Sequence, residues 1–318
     1  MRRTLQAVPL LILISMILFI ILNNAPGGPL APYLQNPHIT PADIERLKHN
    51  LGLDRPIYFR YFVWLGQVIR GDFGYSTSNS QPVLQAILER LPATLELQVS
   101  AFLLALTLGL AAGIFAAVRP YSLADYFITT LAFFGQSMPV FWFALMMQLA
   151  FAVHGIHGFG YEFRLPSAGI STYDTFNFSD RLSHLILPTI VLGLLQLALY
   201  SRFMRSSMLE VIKTDYMRTA SAKGLDGRTV LFKHGLKNAM IPIVTVVALA
   251  LPGLLGGAVV TETIFAWPGS GRMFFNALGQ SDIALLMGYL LVLATLVVFS
   301  NLLADVTYAW LDPRVKYD

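Results

Sequence analysis

The chain has no cysteine and little charge. Asp, Glu, Lys and Arg make up 13% of its 318 residues, against roughly 25% in an ordinary soluble domain. Without cysteine there are no disulfides and no Cys-based metal or nucleophile chemistry. No G-x-x-x-x-G-K-[ST] loop occurs, so the chain lacks that means of holding a nucleotide. No H-E-x-x-H occurs either, and the six histidines are scattered rather than spaced as metal ligands. His154 and His157 stand three apart beside Gly155 and Gly158 and read as a loop pair. Charge inside the apolar runs is also scarce. Glu96 and Asp305 both fall near a run's edge, where snorkelling or capping explains them. That scarcity weighs against a proton- or sodium-coupled carrier or channel. With no paired acid–base or metal constellation, a membrane-embedded enzyme is disfavoured as well.

What is abundant is apolar sequence. Hydrophobic residues are 55% of the chain and the mean hydropathy is +0.61. Six apolar runs stand out, at 5–22, 95–118, 127–153, 185–203, 239–260 and 283–304. Each is near the ~20 residues a helix needs to cross a bilayer core. Backbone groups in hydrocarbon must be paired internally, which makes the runs helices. The expected fold is an all-α integral membrane protein with six transmembrane helices and both termini on one side. The first run is longer than the ~7–15 residues of a signal-peptide core. Asn23-Asn24-Ala25-Pro26 is no cleavage site, so this run reads as a retained span. The expected parts are an N-terminus and first span at 1–25, an external region at 26–92, and a five-helix core at 93–318.

The 26–92 region is the one long non-apolar stretch, about 65 residues. Thr40-Pro41-Ala42-Asp43 predicts a helix N-terminus with proline at its first position, and Gly52 predicts its end. Residues 57–69 predict an aromatic-rich amphipathic helix. Two roles fit it: a helix lying among headgroups, or a docking surface for an external partner. Gly71–Ser76 predicts a turn, and 82–90 a short helix returning to the membrane.

Basic residues set the orientation. Arg202, Arg205, Lys213, Arg218, Lys223, Arg228, Lys233 and Lys237 crowd one loop, and Arg2, Arg3, Arg119, Arg314 and Lys316 fall on the same side of a six-span layout. The short loops opposite hold only Arg164, Arg181 and Arg272. The 26–92 region is near the ~60-residue length at which loop charge stops counting. The positive-inside rule therefore places both termini and the 204–238 loop in the cytoplasm.

That loop predicts two short helices with a break. Ser207 and Glu210 have capping-box spacing, predicting a helix start. Gly224 suits a left-handed stop, and Asp226 suits the cap of a second helix running toward Asn238. These features alone fit a solvated loop between spans equally well.

Tyr216-Met217-Arg218-Thr219-Ala220-Ser221-Ala222-Lys223-Gly224, followed after nine residues by His234-Gly235-Leu236-Lys237, closely resembles the EAA loop of ABC importer permeases in its peptide-permease variant. Arg218, Thr219 and Ala220 occupy the E-A-A places, and Gly224 the family glycine. His234 and Lys237 stand where the general family has Ile and Pro. A second resemblance is to the B-type subunit of dipeptide, oligopeptide and nickel permeases. It rests on Leu51-Gly52-Leu53-Asp54-Arg55-Pro56, Gly71-Asp72-Phe73-Gly74-Tyr75-Ser76, and Arg90-Leu91-Pro92-Ala93-Thr94-Leu95-Glu96-Leu97. Trp267-Pro268-Gly269-Ser270-Gly271-Arg272 and the tail from Asn301 to Arg314 fit the same family. Ala25-Pro26-Gly27-Gly28-Pro29 fits too, with Gly28 where the family has an aspartate.

The resemblance implies a bacterial or archaeal inner-membrane permease subunit for peptides or a similar small solute. The chain itself would bind no cofactor, ATP and Mg being held by partner ATPases. Implied partners are a second, C-type permease subunit, two ABC ATPases, an external solute-binding protein and the lipid bilayer, with no nucleic acid. Coupling to the ATPase would fall to Tyr216, Arg218, Thr219, Ala220, Lys223, Gly224, Leu225, Arg228 and His234. Gln136, Ser137, Met138, Gln196 and Tyr200 are candidates for the solute pathway. Ordinary interhelical bonding explains Gln136 and Gln196 equally well. Gly253, Gly256 and Gly257 read as helix-packing glycines, and Trp267 as an interfacial anchor in a tight turn.

Overall fold

The computed structural model describes residues 2–34, 38–158 and 161–311, without the side chains of 2–4, 156–158, 161–163 and 305–311. Expectations resting on Arg2, Arg3, His157, Asp305, Arg314 and Lys316 lie outside these described residues and side chains, as does the end of the 301–314 tail. The fold is dominated by helices. Among the described residues, five are long and apolar enough to cross a membrane, or six if one bent pair counts as a single span. The chain forms two compact units: Met1–Thr94 with Leu255–Val259 and Pro268–Leu303, and Leu95–Leu254 with Val260–Trp267 and Ala304–Asp318.

In the first unit the apolar helix Arg2–Asn23 carries Phe19, onto which helix Ile57–Ile69 packs. Tyr61 meets Phe19 edge-on at 5.6 Å, and its hydroxyl lies 2.9 Å from Ser15 Oγ. Trp64 stacks 5.4 Å from Phe19, while Tyr58, Phe62 and Ile69 remain exposed. Helix Pro41–Asn50 begins with a reciprocal capping box between Thr40 and Asp43. Those hydrogen bonds from Thr40 hold the Asp43 carboxyl below the usual carboxylate range. A two-stranded hairpin, Tyr75–Ser76 with Gln81–Pro82, is fastened by buried Asp282. One carboxylate oxygen accepts from Ser76 Oγ at 2.7 Å, Ser78 Oγ at 2.8 Å and Ser78 N at 2.9 Å. The other accepts from Leu285 N at 3.0 Å, capping helix Ile283–Leu311. The expected short helix at 82–90 is instead the start of helix Val83–Val118, which runs straight through Pro92.

The second unit is built on helix Phe178–Ile212. At 35 residues it is about 52 Å long, well over the ~30 Å of a hydrocarbon core. Small residues let its neighbour come close. A Cβ on Gly113 would lie 2.5 Å from Ser201 O and 2.7 Å from Met204 Cβ, and one on Gly193 would lie 2.7 Å from a Leu104 methyl. Gly257, expected from sequence to be a packing glycine, is one: its would-be Cβ would lie 3.2 Å from the Gly271 backbone. Gly253, expected in that role, has nothing within 4 Å of its would-be Cβ. The third apolar run is not one straight helix. Leu123–Ser137 and Val140–His154 meet at 104°. Met138 is already extended at φ −74°, ψ 134°, as a residue before proline tends to be. Trp267 is no interfacial anchor: it is fully buried, with the Arg181 guanidinium 5.4 Å above its ring.

Gly113→Val should destabilise the detergent-solubilised protein by about 1–3 kcal/mol, the usual cost of overpacking. Gly253→Ala should leave thermal unfolding unchanged. Equal melting behaviour of the two variants would contradict the close helix crossing.

Candidate functional site

The loop after helix Phe178–Ile212 is short and ordered by its own small core. Helix Asp215–Ala222 buries Met217 and Ala220 against Val230 and Val211. A Cβ on Gly235 would sit 3.1 Å from Met217 Cε, so the loop core closes tightly over that position. Thr214 precedes the helix in extended conformation, and its hydroxyl donates back to Val211 O at 2.6 Å. The helix ends at Gly224, φ +76°, a backbone state open to glycine at little cost. Asp226 then accepts from Arg228 N at 3.1 Å and starts the next helical segment.

Two expectations about this loop need correcting. Ser207 does not start a loop helix. It lies buried inside helix Phe178–Ile212 and donates to Ala239 O at 2.8 Å. Capping-box spacing occurs by chance within long helices, and here packing claims the hydroxyl. Nor does the second segment stop near Asn238. A π-helical stretch, Val230–Leu236, leads directly into helix Lys237–Ala250, so the loop flows into the following apolar helix. Single-turn π geometry often marks functional places in helices.

The exposed surface of the loop carries Tyr216, Arg218, Thr219, Lys223, Gly224, Leu225 and Arg228. His234 is half-buried and Ala220 points inward. Arg218 lies 3.7 Å from Asp215, but both side chains are mostly in solvent, where such pairs contribute little. Phe232 is also exposed. Sequence reading passed over it because it falls between the two segments, 216–224 and 234–237, that carry the family resemblance.

This loop is joined through Lys213 and Thr214 to a stiff anchor. Arg205 Nε and Nη2 donate to the two oxygens of Asp125, each at 2.7 Å. Asp125 is 2% exposed and also accepts from Tyr121 N at 2.9 Å. Met204 and Met208 pack with Ala117, Ala239 and Ile243. Near the other end of the same helix, Arg181 forms a bidentate pair with Glu96, its Nε 2.8 Å from Oε1. Glu96 is therefore paired, not snorkelling. The two arginines are about 36 Å apart along the helix, a little more than one hydrocarbon thickness. Neither pair was found from sequence, since each joins residues about 80 or more positions apart.

The chain's relatives share its whole length. The family described as "Binding-protein-dependent transport system inner membrane component" matches residues 109–317, and its N-terminal companion matches residues 1–98. The chain belongs to this family. It is a transmembrane permease subunit of an ABC importer and not itself a catalytic enzyme. The permease subunit is 42% identical to the oligopeptide transport system permease protein AppB of Bacillus subtilis, over 99% of this chain and 98% of that one. Against the dipeptide transport system permease protein DppB of Alkalihalophilus pseudofirmus the identity is 40%, covering 100% and 98%. Against that of Escherichia coli K12 it is 38%, again covering 100% and 98%.

The pathway candidates of the permease subunit are dispersed. Gln136 is exposed beside the helix break and accepts from Arg202 Nη1 at 3.0 Å. Ser137 bonds its own helix at Phe133 O, and Met138 forms the break. Gln196 is half-buried. Tyr200 is sealed in the core, its ring edge-on to Phe102 at 6.0 Å. A cavity of about 420 Å3 lies next to Arg202 and Arg205, lined also by Thr129, Phe133 and Glu210. None of the five candidates lines it. Among the described residues, no group of three or more His, Asp or Glu side chains could hold a metal.

Removing one partner of a buried ion pair strands the other charge. Arg205→Met, which strands the buried Asp125 carboxylate, should therefore cost about 3 kcal/mol of stability, and adding Asp125→Ala should recover part of it. Chemical unfolding of the single and double variants checks this; additive losses would mean that the pair is not coupled.

Proposed function

We propose that the chain is a B-type subunit importing peptides or a similar small solute delivered by an external binding protein. The observation that carries this is full-length similarity to oligopeptide and dipeptide permeases, together with an exposed, internally packed loop in place of any nucleotide site. In this reading the bent pair is one broken span, giving six. Residues 26–92 lie outside the cell, while both termini and the 204–238 loop lie in the cytoplasm of a bacterium or archaeon. A C-type subunit completes the pathway, and two ATPases hold ATP and Mg.

The ATPases grip Tyr216, Arg218, Thr219, Lys223, Gly224, Leu225, Arg228 and His234, with Ala220 fixing the helix from beneath. Lys223 and Arg228 meet acidic groups, and Phe232 adds apolar contact. ATP-driven closure of the ATPases shifts the permease between outward- and inward-open states. It does so only because the loop contact differs in free energy between those states. The solute passes the break at Met138, where Gln136 and Ser137 are exposed, and then Gln196. Tyr200 lines the path only after leaving Phe102.

Space around Gly224 is open, with nothing within 4 Å of a would-be Cβ. Only its backbone conformation resists substitution, and asparagine tolerates that conformation far better than a β-branched residue. Gly224→Val should abolish ATP-driven peptide uptake in proteoliposomes holding the full complex, while Gly224→Asn keeps most of it. Normal uptake by Gly224→Val at matched protein would sink this reading. Lys223→Glu with Arg228→Glu should weaken ATPase co-purification, and retention unchanged across salt concentrations would remove those two contacts.

A further inference from the structure

The first unit contains a cavity of about 530 Å3 unconnected with the loop, within the roughly 300–1,000 Å3 range of small-molecule sites. Its apolar wall is Phe19, Phe59, Val63, Trp64 and Met287. Arg60 enters it from helix Ile57–Ile69. This guanidinium is half-buried, donates to the neutral amide oxygen of Asn23 and lies 5.9 Å over the Phe19 ring. Among the described residues no carboxylate comes within ion-pair distance of it. Burial pulls it below its usual range, as expected for a cation that has lost water without gaining a counterion. The cavity's one carboxylate, Asp54, is 3.3 Å from His49, with half its side chain in solvent. Arg55, at the rim, stacks 5.0 Å over Phe59.

The location points to the missing anion. Phe19 and Asn23 end one apolar helix, and Met287 lies near the start of another. The cavity therefore sits at the level where hydrocarbon gives way to headgroups. Helix Ile57–Ile69 exposes Tyr58, Phe62 and Ile69 as well, the composition of a helix lying in that interface. We propose that this cavity holds an anionic phospholipid, its phosphate on Arg60 and its glycerol and upper acyl carbons against Phe19, Val63, Trp64 and Met287. A bound lipid would fix helix Ile57–Ile69 to the two spans, in keeping with a helix lying among headgroups.

The test is native mass spectrometry of the purified complex after equilibration in mixed micelles with equal phosphatidylglycerol and phosphatidylcholine. Wild type should retain phosphatidylglycerol about fivefold over phosphatidylcholine, the factor expected for one interfacial cation. Arg60→Gln should bring the ratio to parity, and Arg60→Lys should restore it. Equal retention by wild type, or an undiminished preference in Arg60→Gln, overturns the proposal. So does displacement of the lipid by a millimolar dipeptide, which would make the cavity a peptide carboxylate site. Retention is read without transport, so its failure leaves the importer reading untouched.

Discussion

A carboxylate removed from water must be neutralised, and Asp125 depends on Arg205 for this. The consequence reaches well beyond the pair. Arg205 belongs to helix Phe178–Ile212 and Asp125 to helix Leu123–Ser137, so the bond ties the bent run to the longest helix of its unit. One turn away, Gly113 lets helix Val83–Val118 touch the backbone at Ser201, and Ser207 holds Ala239. Four helices meet within about two turns. The loop Asp215–Ala222 hangs from this meeting point by only two residues, Lys213 and Thr214. The loop is thus tied to this four-helix meeting point through a short connection rather than a long linker.

Arg181 and Glu96 repeat the arrangement near the other end of the same helix. The span between is apolar, and the two ion pairs lie toward its ends.

Much of this was legible in the sequence because it is local. Thr40-Pro41 announced a helix start, Gly224 its left-handed stop and Asp226 its cap. Apolar runs marked the long helices because lipid leaves no alternative for the backbone. The misreadings have a common cause. Ser207 with Glu210 looked like a helix start, but tertiary packing had taken the serine. Pro92 looked like a boundary, yet the helix absorbs it. Gly253 looked like a contact, while the true contacts at Gly113 and Gly193 depend on what lies across the crossing. Asp125 with Arg205 and Glu96 with Arg181 are long-range pairings that no local pattern encodes. In the loop, most of the residues named from sequence are exposed, while Ala220 is buried, His234 is half-buried and exposed Phe232 was not named.

The 104° break at Met138-Pro139 has a consequence for how the chain is made. Each half, Leu123–Ser137 and Val140–His154, is about 22 Å long, short of a hydrocarbon core of about 30 Å. Neither half can settle across lipid alone. The helix that supplies Arg205 emerges from the ribosome later, so this stretch has no finished partner when it first meets the bilayer. A stable crossing by this stretch therefore depends on helix Phe178–Ile212, which packs against both halves and supplies Arg205.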